Sequence, residues 1–171
     1  MTPAKIKKVG PSEHHVLLTV WEASVRASHD FLQEQDIEDY RSLLASTYLN
    51  RVDLYLLEED NQVKGFIGLS TGKIQLLFIE PKAFRRGYGT LLIDFAIKKK
   101  GAYQVDVNSQ NVNAYQFYKQ AGFRIFRKFE FDGAGKAYPV WCMTRNKWEI
   151  ITGAFINFRN YFNFKRYSYG T

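Results

Sequence analysis

The sequence predicts a mixed α/β chain: about seven strands in a mostly antiparallel sheet, with one splayed parallel pair near its middle, flanked by about four helices. Three observations carry this. Short apolar runs are separated by hairpin-length turn signals, Asp60-Asn61, Thr71-Gly72 and Asp132-Gly133, which join antiparallel neighbours. The apolar run ending at Ile79 is followed by a helical pattern that stops at Gly101 and then by another apolar run, and such a crossover makes its two strands parallel. Early in the chain, apolar residues recur at the period of helices.

In order, Ala4 to Val9 alternates and predicts a first strand. Gly10-Pro11-Ser12 breaks it, with Ser12 a cap for the next helix. Leu17, Val20, Trp21 and Val25 place that helix up to about Ser28. Ile37, Tyr40, Leu44 and Tyr48 place a second, with Asp36 as its expected cap. Strands come next over Leu54 to Glu58, Val63 to Leu69 and Ile74 to Ile79; Pro81 ends the last, having no N–H for a ladder. A third helix is expected from Thr90 to about Lys99. Lys98, Lys99 and Lys100 complement its C-terminal dipole. Ala102 to Val107 is a strand, Asn113 to Ala121 a short helix closed by Gly122, and Phe123 to Phe131 and Tyr138 to Met143 the last two strands.

Composition bounds the function. The chain has 171 residues, one domain's worth, and 46% of them are hydrophobic, enough for a sizeable core. Its net charge of +7 favours anionic ligands or surfaces, a solvated basic face being the other reading. A single cysteine, Cys142, excludes an internal disulfide and points to a reducing, cytoplasmic compartment. It lies in an apolar strand pattern, as an inert core thiol does. The N-terminal residues have charge but no apolar signal segment, and no run of about 18 apolar residues predicts a membrane span. No His/Cys cluster has metal-ligand spacing, so no metal is expected.

The stretch from Leu76 to Ile93 is the most informative. A strand is followed by Glu80-Pro81-Lys82-Ala83-Phe84-Arg85-Arg86-Gly87-Tyr88-Gly89-Thr90, and then a helix begins. Helix starts leave four N–H groups without partners, at the positive end of the macrodipole. Glycines let backbone approach a ligand closely, and Arg85 and Arg86 add full charges, so the loop suits a phosphate-bearing molecule. A plain strand-to-helix turn is the other reading. The dinucleotide pattern fails because position 92 is Leu92, and no G-K-[ST] is present.

Arg85-Arg86-Gly87-Tyr88-Gly89-Thr90-Leu91-Leu92 resembles the pyrophosphate loop of the GNAT (Gcn5-related N-acetyltransferase) superfamily, Q/R-x-x-G-x-G/A, although Phe84 stands at the first position of that pattern. A second stretch, Asn111 to Phe123, reads N-x-x-A-x-x-F-Y-x-x-x-G-F and resembles that superfamily's second signature. The order of elements resembles the same fold over roughly residues 4 to 144, which we take as the domain (1–144), with 145–171 as an extension. Trp21 to Leu32 and Gly135 to Pro139 resemble the bacterial YjaB-type subgroup.

The resemblance implies transfer of an acetyl group from acetyl-CoA to a primary amine, of a small molecule, a lysine or a peptide N-terminus, by direct attack in a ternary complex. Backbone amides of Leu77, Phe78 and Ile79 would meet the pantetheine arm. Arg85, Arg86, Gly87, Tyr88, Gly89 and Thr90 would hold the pyrophosphate, and Asn111 would add a hydrogen bond. Tyr118 is the expected general acid, a phenol matched to a leaving thiolate; without the resemblance it reads as a core aromatic whose hydroxyl finds a backbone partner. Where family members carry a carboxylate base, Gln75 stands, and Gln cannot take a proton. Trp21, His29 and Asp30 are the acceptor-side candidates, with a solvated His29 and a helix-capping Asp30 as the alternative. His14 and His15 read as surface residues.

Two other functions stay open: a catalytically silent CoA-binding module, suggested by Gln75, and a nucleic-acid-associated basic protein. The second draws on the extension, where Phe155, Phe158, Tyr161, Phe162, Phe164, Tyr167 and Tyr169 interleave with Arg159, Lys165 and Arg166. Docking of that segment on the domain is favoured over a homodimer contact, a membrane surface or single-stranded nucleic acid, since so many aromatics are costly in water.

Overall fold

A computed structural model of the chain describes residues 3–145, so the docking or nucleic-acid role expected of the aromatic and basic segment 146–171 lies outside the described residues. The strands are β1 (Lys5–Lys8), β2 (Asp53–Glu59), β3 (Gln62–Ser70), β4 (Lys73–Ile79), β5 (Gln104–Asn108), β6 (Arg124–Phe129) and β7 (Val140–Thr144). The helices are α1 (His14–Ser28), α2 (Glu34–Leu43), α3 (Tyr88–Lys100) and α4 (Val112–Gln120). This is the mixed α/β class expected from the sequence. The described residues divide into two compact units, one ending at Ala102 and the other starting at Tyr103.

In the first unit β1, β2, β3 and β4 pair in sequence order, each antiparallel to the next. Asp60 and Asn61 close the β2–β3 hairpin with left-handed backbone (φ 51° and 57°), the geometry of a tight hairpin turn. One sheet face presents Leu54, Leu56, Phe66, Leu76 and Phe78 to Leu17, Val20, Trp21 and Val25 of α1 and to Ile37 of α2. The four α1 residues follow the helical repeat, which is why one stripe of that helix is apolar. Leu17 and Phe66 lose all exposure, worth about 1.5–3 kcal/mol each. On the other face Tyr55 meets Phe95 of α3 edge-on, ring centroids 4.9 Å apart.

Two early boundaries differ from expectation. Ser12 lies in a single 3₁₀ turn, Pro11–Glu13, and α1 starts after Glu13. The second helix begins at Glu34 with Gln33 before it, and Asp36 sits inside its first turn, where its charge meets the helix dipole directly. The helix then widens into a π-turn, Leu44–Tyr48, which buries Leu44 and shifts the later part of the apolar stripe.

The β3–β4 ladder carries a bulge. Gly68 pairs with Leu76 and Leu69 with Ile74, which leaves Gln75 as the extra residue on β4. Below the bulge, Gly65 lets the two strands close up: a Cβ there would lie 2.6 Å from the Phe78 carbonyl oxygen and 2.6 Å from Ile79 Cδ1.

In the second unit the order is β5-β7-β6, all antiparallel, with Phe126 the extra residue of a bulge on β6. Phe123 and Met143 are fully buried and anchor its core. No helix among the described residues is long and apolar enough to cross a membrane.

Gly65→Ala is expected to destabilise the protein by about 1–3 kcal/mol, since the new methyl meets backbone as well as side chain. Urea unfolding midpoints of the two proteins check this.

Candidate active site

β4 ends where Glu80 N–H donates to the Lys64 carbonyl at 2.9 Å. Pro81–Ala83 forms a 3₁₀ turn, and the chain then passes through two left-handed residues, Arg85 (φ 60°) and Gly87 (φ 86°). Gly87 is the N-cap of α3, and no side chain caps the helix. The first intrahelical bond runs from Leu91 N–H to the Gly87 carbonyl at 3.1 Å. Ahead of it, the amides of Tyr88, Gly89 and Thr90 have no acceptor within the helix. A non-glycine residue in the left-handed region costs about 1 kcal/mol or more, and here that residue is one of the two exposed arginines of the loop. A Cβ at Gly87 would meet nothing within 4 Å, so the space over the loop is open.

These features fit an anion: uncapped amides, a positive dipole end and two guanidinium groups beside it. Phe84, which replaces the polar residue of the family pattern, is 36% exposed at the loop's start and offers no hydrogen bond. Tyr88 behaves differently from its neighbours. Its ring is buried and its hydroxyl donates to Glu59, so only its backbone amide faces the way a diphosphate would come.

β4 divides its backbone between two edges. Hydrogen-bonded pairs alternate along an antiparallel ladder, and the Glu80–Lys64 bond puts Phe78 and Leu76 in bonded pairs with Phe66 and Gly68. Phe78 therefore commits its N–H and C=O to β3, contrary to the expectation for a pantetheine contact. Leu77 and Ile79 turn theirs to the opposite edge. The Phe78 side chain packs against Trp21, His29 and Phe66, at centroid distances of 6.4, 6.5 and 5.7 Å.

That cluster contains two of the acceptor-side candidates. Trp21 is 5% exposed and belongs to the core under α1. His29 terminates α1 as its C-cap, and it is partly buried rather than fully solvated. Burial pushes its imidazole down to about 4, against a smaller upward pull from the charge of Asp30. The Ser28 hydroxyl donates to the Ser24 carbonyl at 2.7 Å and lies 2.9 Å from His29 Nδ1. A hydroxyl has one proton, so Nδ1 carries the hydrogen in this pair and Nε2 is the acceptor nitrogen. Asp30 is exposed. Gln75 donates through Nε2 to Ser70 Oγ at 2.9 Å, a bond within the bulged hairpin.

In the second unit Asn111 is the N-cap of α4; its Oδ1 accepts the Ala114 N–H at 3.0 Å, so that oxygen is committed to the helix. Tyr118, near the end of α4, is 7% exposed and packs edge-on against Phe117 and Phe123 at 5.3 and 5.9 Å. Among the described residues its hydroxyl takes no hydrogen-bond partner, and burial alone holds its pKa well above the ordinary phenol value. The backbone partner expected for a purely structural Tyr118 is absent among these residues. No group of three His, Cys, Asp or Glu side chains that could hold a metal converges among the described residues.

Sequence reasoning did not single out Glu59, Ser28 or Ser70. Each acts through a partner brought close by pairing or by a helix end, and no local pattern marks them.

Both the sequence and the fold match known proteins. A family model described as an acetyltransferase (GNAT) domain matches residues 22–135. The peptidyl-lysine N-acetyltransferase YjaB of Escherichia coli is 33% identical over 136 residues, 79% of this chain and 92% of that protein. The solution structure of apo-form YjaB from the same organism superposes with a TM-score of 0.77 at 30% identity, over 84% of this chain and 98% of that one. The fold is also that of the PaiA N-acetyltransferase from Thermoplasma acidophilum, solved in complex with coenzyme A, with TM-score 0.65, 20% identity and 84% and 99% coverage.

The depressed His29 gives a pH dependence of stability. Between pH 6.5 and 4 the unfolded chain takes up a proton at this imidazole that the folded chain refuses, so stability falls as the pH drops through that window. The His29 contribution between pH 7 and pH 4.5 is about 2 kcal/mol. His29→Gln should reduce the difference in unfolding free energy between those two pH values, measured by urea titration, by that amount.

Proposed function

The chain belongs to the GNAT acetyltransferase family, and from that premise we propose that it moves the acetyl group of acetyl-CoA onto the ε-amine of a lysine in a peptide or protein. Acetyl transfer and the acetyl-CoA donor follow from the family. The lysine acceptor rests on relatives named for that activity, among them the YiaC protein of Escherichia coli, 29% identical over 147 residues.

The observation that carries the cofactor assignment is the uncapped start of α3 behind two left-handed residues, with Arg85 and Arg86 exposed beside it. The amides of Tyr88, Gly89 and Thr90 hold the diphosphate, and the two arginines neutralise it. Backbone groups of Leu77 and Ile79, turned to the edge away from β3, orient the pantetheine arm as a strand-like ligand. Acetyl-CoA supplies an acyl group activated as a thioester. Tyr118 is protonated at neutral pH, and burial disfavours its phenolate further; its Oη delivers its proton to the departing sulfur and is reprotonated from water, while water takes the proton that the attacking nitrogen sheds as the amide forms.

The acceptor must attack as a neutral amine. Gln75 takes no proton, and His29 at about 4 is too weak a base to hold one near neutrality. We assign deprotonation of the lysine to solvent water, with exposed Asp30 attracting the cationic form. The compartment we propose is the cytoplasm, on the strength of a single cysteine, the buried Cys142, which has no second cysteine in the sequence to form a disulfide with.

Two measurements test this reading. Gly87→Asp places a carboxylate over the loop, and CoA affinity by calorimetry should fall at least about a hundredfold with the fold retained by circular dichroism. Unchanged affinity would remove the loop as the diphosphate site. Thiol release from acetyl-CoA should accelerate with lysine peptides and fall about a hundredfold or more in Tyr118→Phe. Tight CoA binding without thiol release across a peptide panel would instead leave a silent binding module.

A further inference from the structure

Tyr88 stands between the two glycines of the loop, and only its backbone amide has a task in holding the diphosphate. It is the first residue of α3, its ring is buried, and its hydroxyl donates to Glu59 at the end of β2. That bond raises the phenol above its ordinary pKa, with burial adding to it, so the donor stays protonated. Glu59 is followed at once by Asp60 and Asn61, whose left-handed backbone makes the hairpin end a stiff post. The guanidinium carbon of Arg86 lies 5.6 Å from the centroid of the same ring, within cation–π reach. One side chain thus ties the start of α3 to the β2–β3 hairpin and gives Arg86 a surface to rest on.

The loop needs such a tether. Gly87 and Gly89 free the backbone to approach a ligand, and the same freedom lets it wander when no ligand is bound. Glu59 accepts the Tyr88 O–H in a charge-assisted bond, stronger than one between neutral groups.

We propose that Tyr88 and Glu59 are positioning residues for the diphosphate of acetyl-CoA: their hydrogen bond pre-shapes the start of α3 and holds Arg86 in place for the phosphates. This deepens the proposed function and rests on the loop being the diphosphate site. Neither side chain touches the ligand. The effect is read as affinity for anything that carries the diphosphate.

Tyr88→Phe keeps the ring and removes the bond. CoA binding measured by calorimetry should weaken roughly tenfold or more. Glu59→Leu should do the same, Glu59→Gln, which keeps an acceptor oxygen, should stay within roughly threefold of the parent, and the Tyr88→Phe/Glu59→Leu double variant should be little worse than either single. The second readout is donor truncation: turnover of S-acetylpantetheine, which lacks the diphosphate, should change less than about twofold in all four variants. Unchanged CoA affinity in Tyr88→Phe and Glu59→Leu would overturn the proposal. So would an equal loss with both donors, since a bond that only holds the fold together would weaken them alike. Gly87→Asp separates the two levels: if it abolishes CoA binding while Tyr88→Phe does not, the diphosphate site stands and only the tether falls.

Discussion

The first turn of α3 presents backbone amides that no side chain caps, and the surrounding sequence is arranged to keep them presented. Pro81 stops β4 at the right place, because it cannot continue the ladder. Arg85 and Gly87 then turn the chain through left-handed conformations, and α3 starts at Tyr88 directly after them. Capping by Ser or Asp at position 87 would satisfy one amide and place an oxygen where an anion should sit. Glycine leaves the position open. The helix gives up only about a few tenths of a kcal/mol of capping stability and gains a positive, hydrogen-bonding end.

Much of this is legible in the amino-acid sequence. Every strand and helix lies where apolar periodicity and turn residues place it, to within a few residues, because Gly, Pro and the Asp-Asn turn punctuate the chain strongly. The two glycine-marked motifs are legible for the same reason: phosphate approach and helix closure demand particular backbone, and backbone demands leave residue-level traces. The bulge at Gln75 leaves none. It arises because β3 and β4 must keep Gly65 against Ile79 at one end and Leu69 against Ile74 at the other, and an odd residue has to go somewhere. The burial of His29 is equally hidden. A histidine at a helix end reads as exposed, and only the folded chain brings Phe31 and Phe78 around it.

Register explains why Phe78 and its neighbours do different work. Alternation sends its side chain into the α1 core and its backbone to β3, while Leu77 and Ile79 turn their backbone the other way. The apolar run alone could not separate these roles, since a strand buried on both faces is apolar at every position. A single added bond, Glu80 to Lys64, fixes the phase for the whole segment.

The two titratable groups with the largest shifts in burial-driven directions, His29 and Tyr118, move oppositely and for one reason. Burial disfavours charge, so the imidazole stays neutral by falling and the phenol stays neutral by rising. Acetyl transfer from an anionic carrier to a cationic amine asks for both behaviours. A buried imidazolium would repel the incoming ammonium, and a phenolate could not give the thiolate its proton. Permanent charge is instead carried where water can reach it, on Arg85, Arg86 and Asp30; under the proposed function these charges attract the two substrates by opposite signs. Under the proposed function, attraction resides in exposed charges and chemistry in a buried neutral acid. Because a raised phenol pKa also weakens the acid, proton transfer from Tyr118 to a leaving sulfur would be favourable only if that sulfur were itself poorly solvated, so the burial that shifts the acid would have to extend to the leaving group.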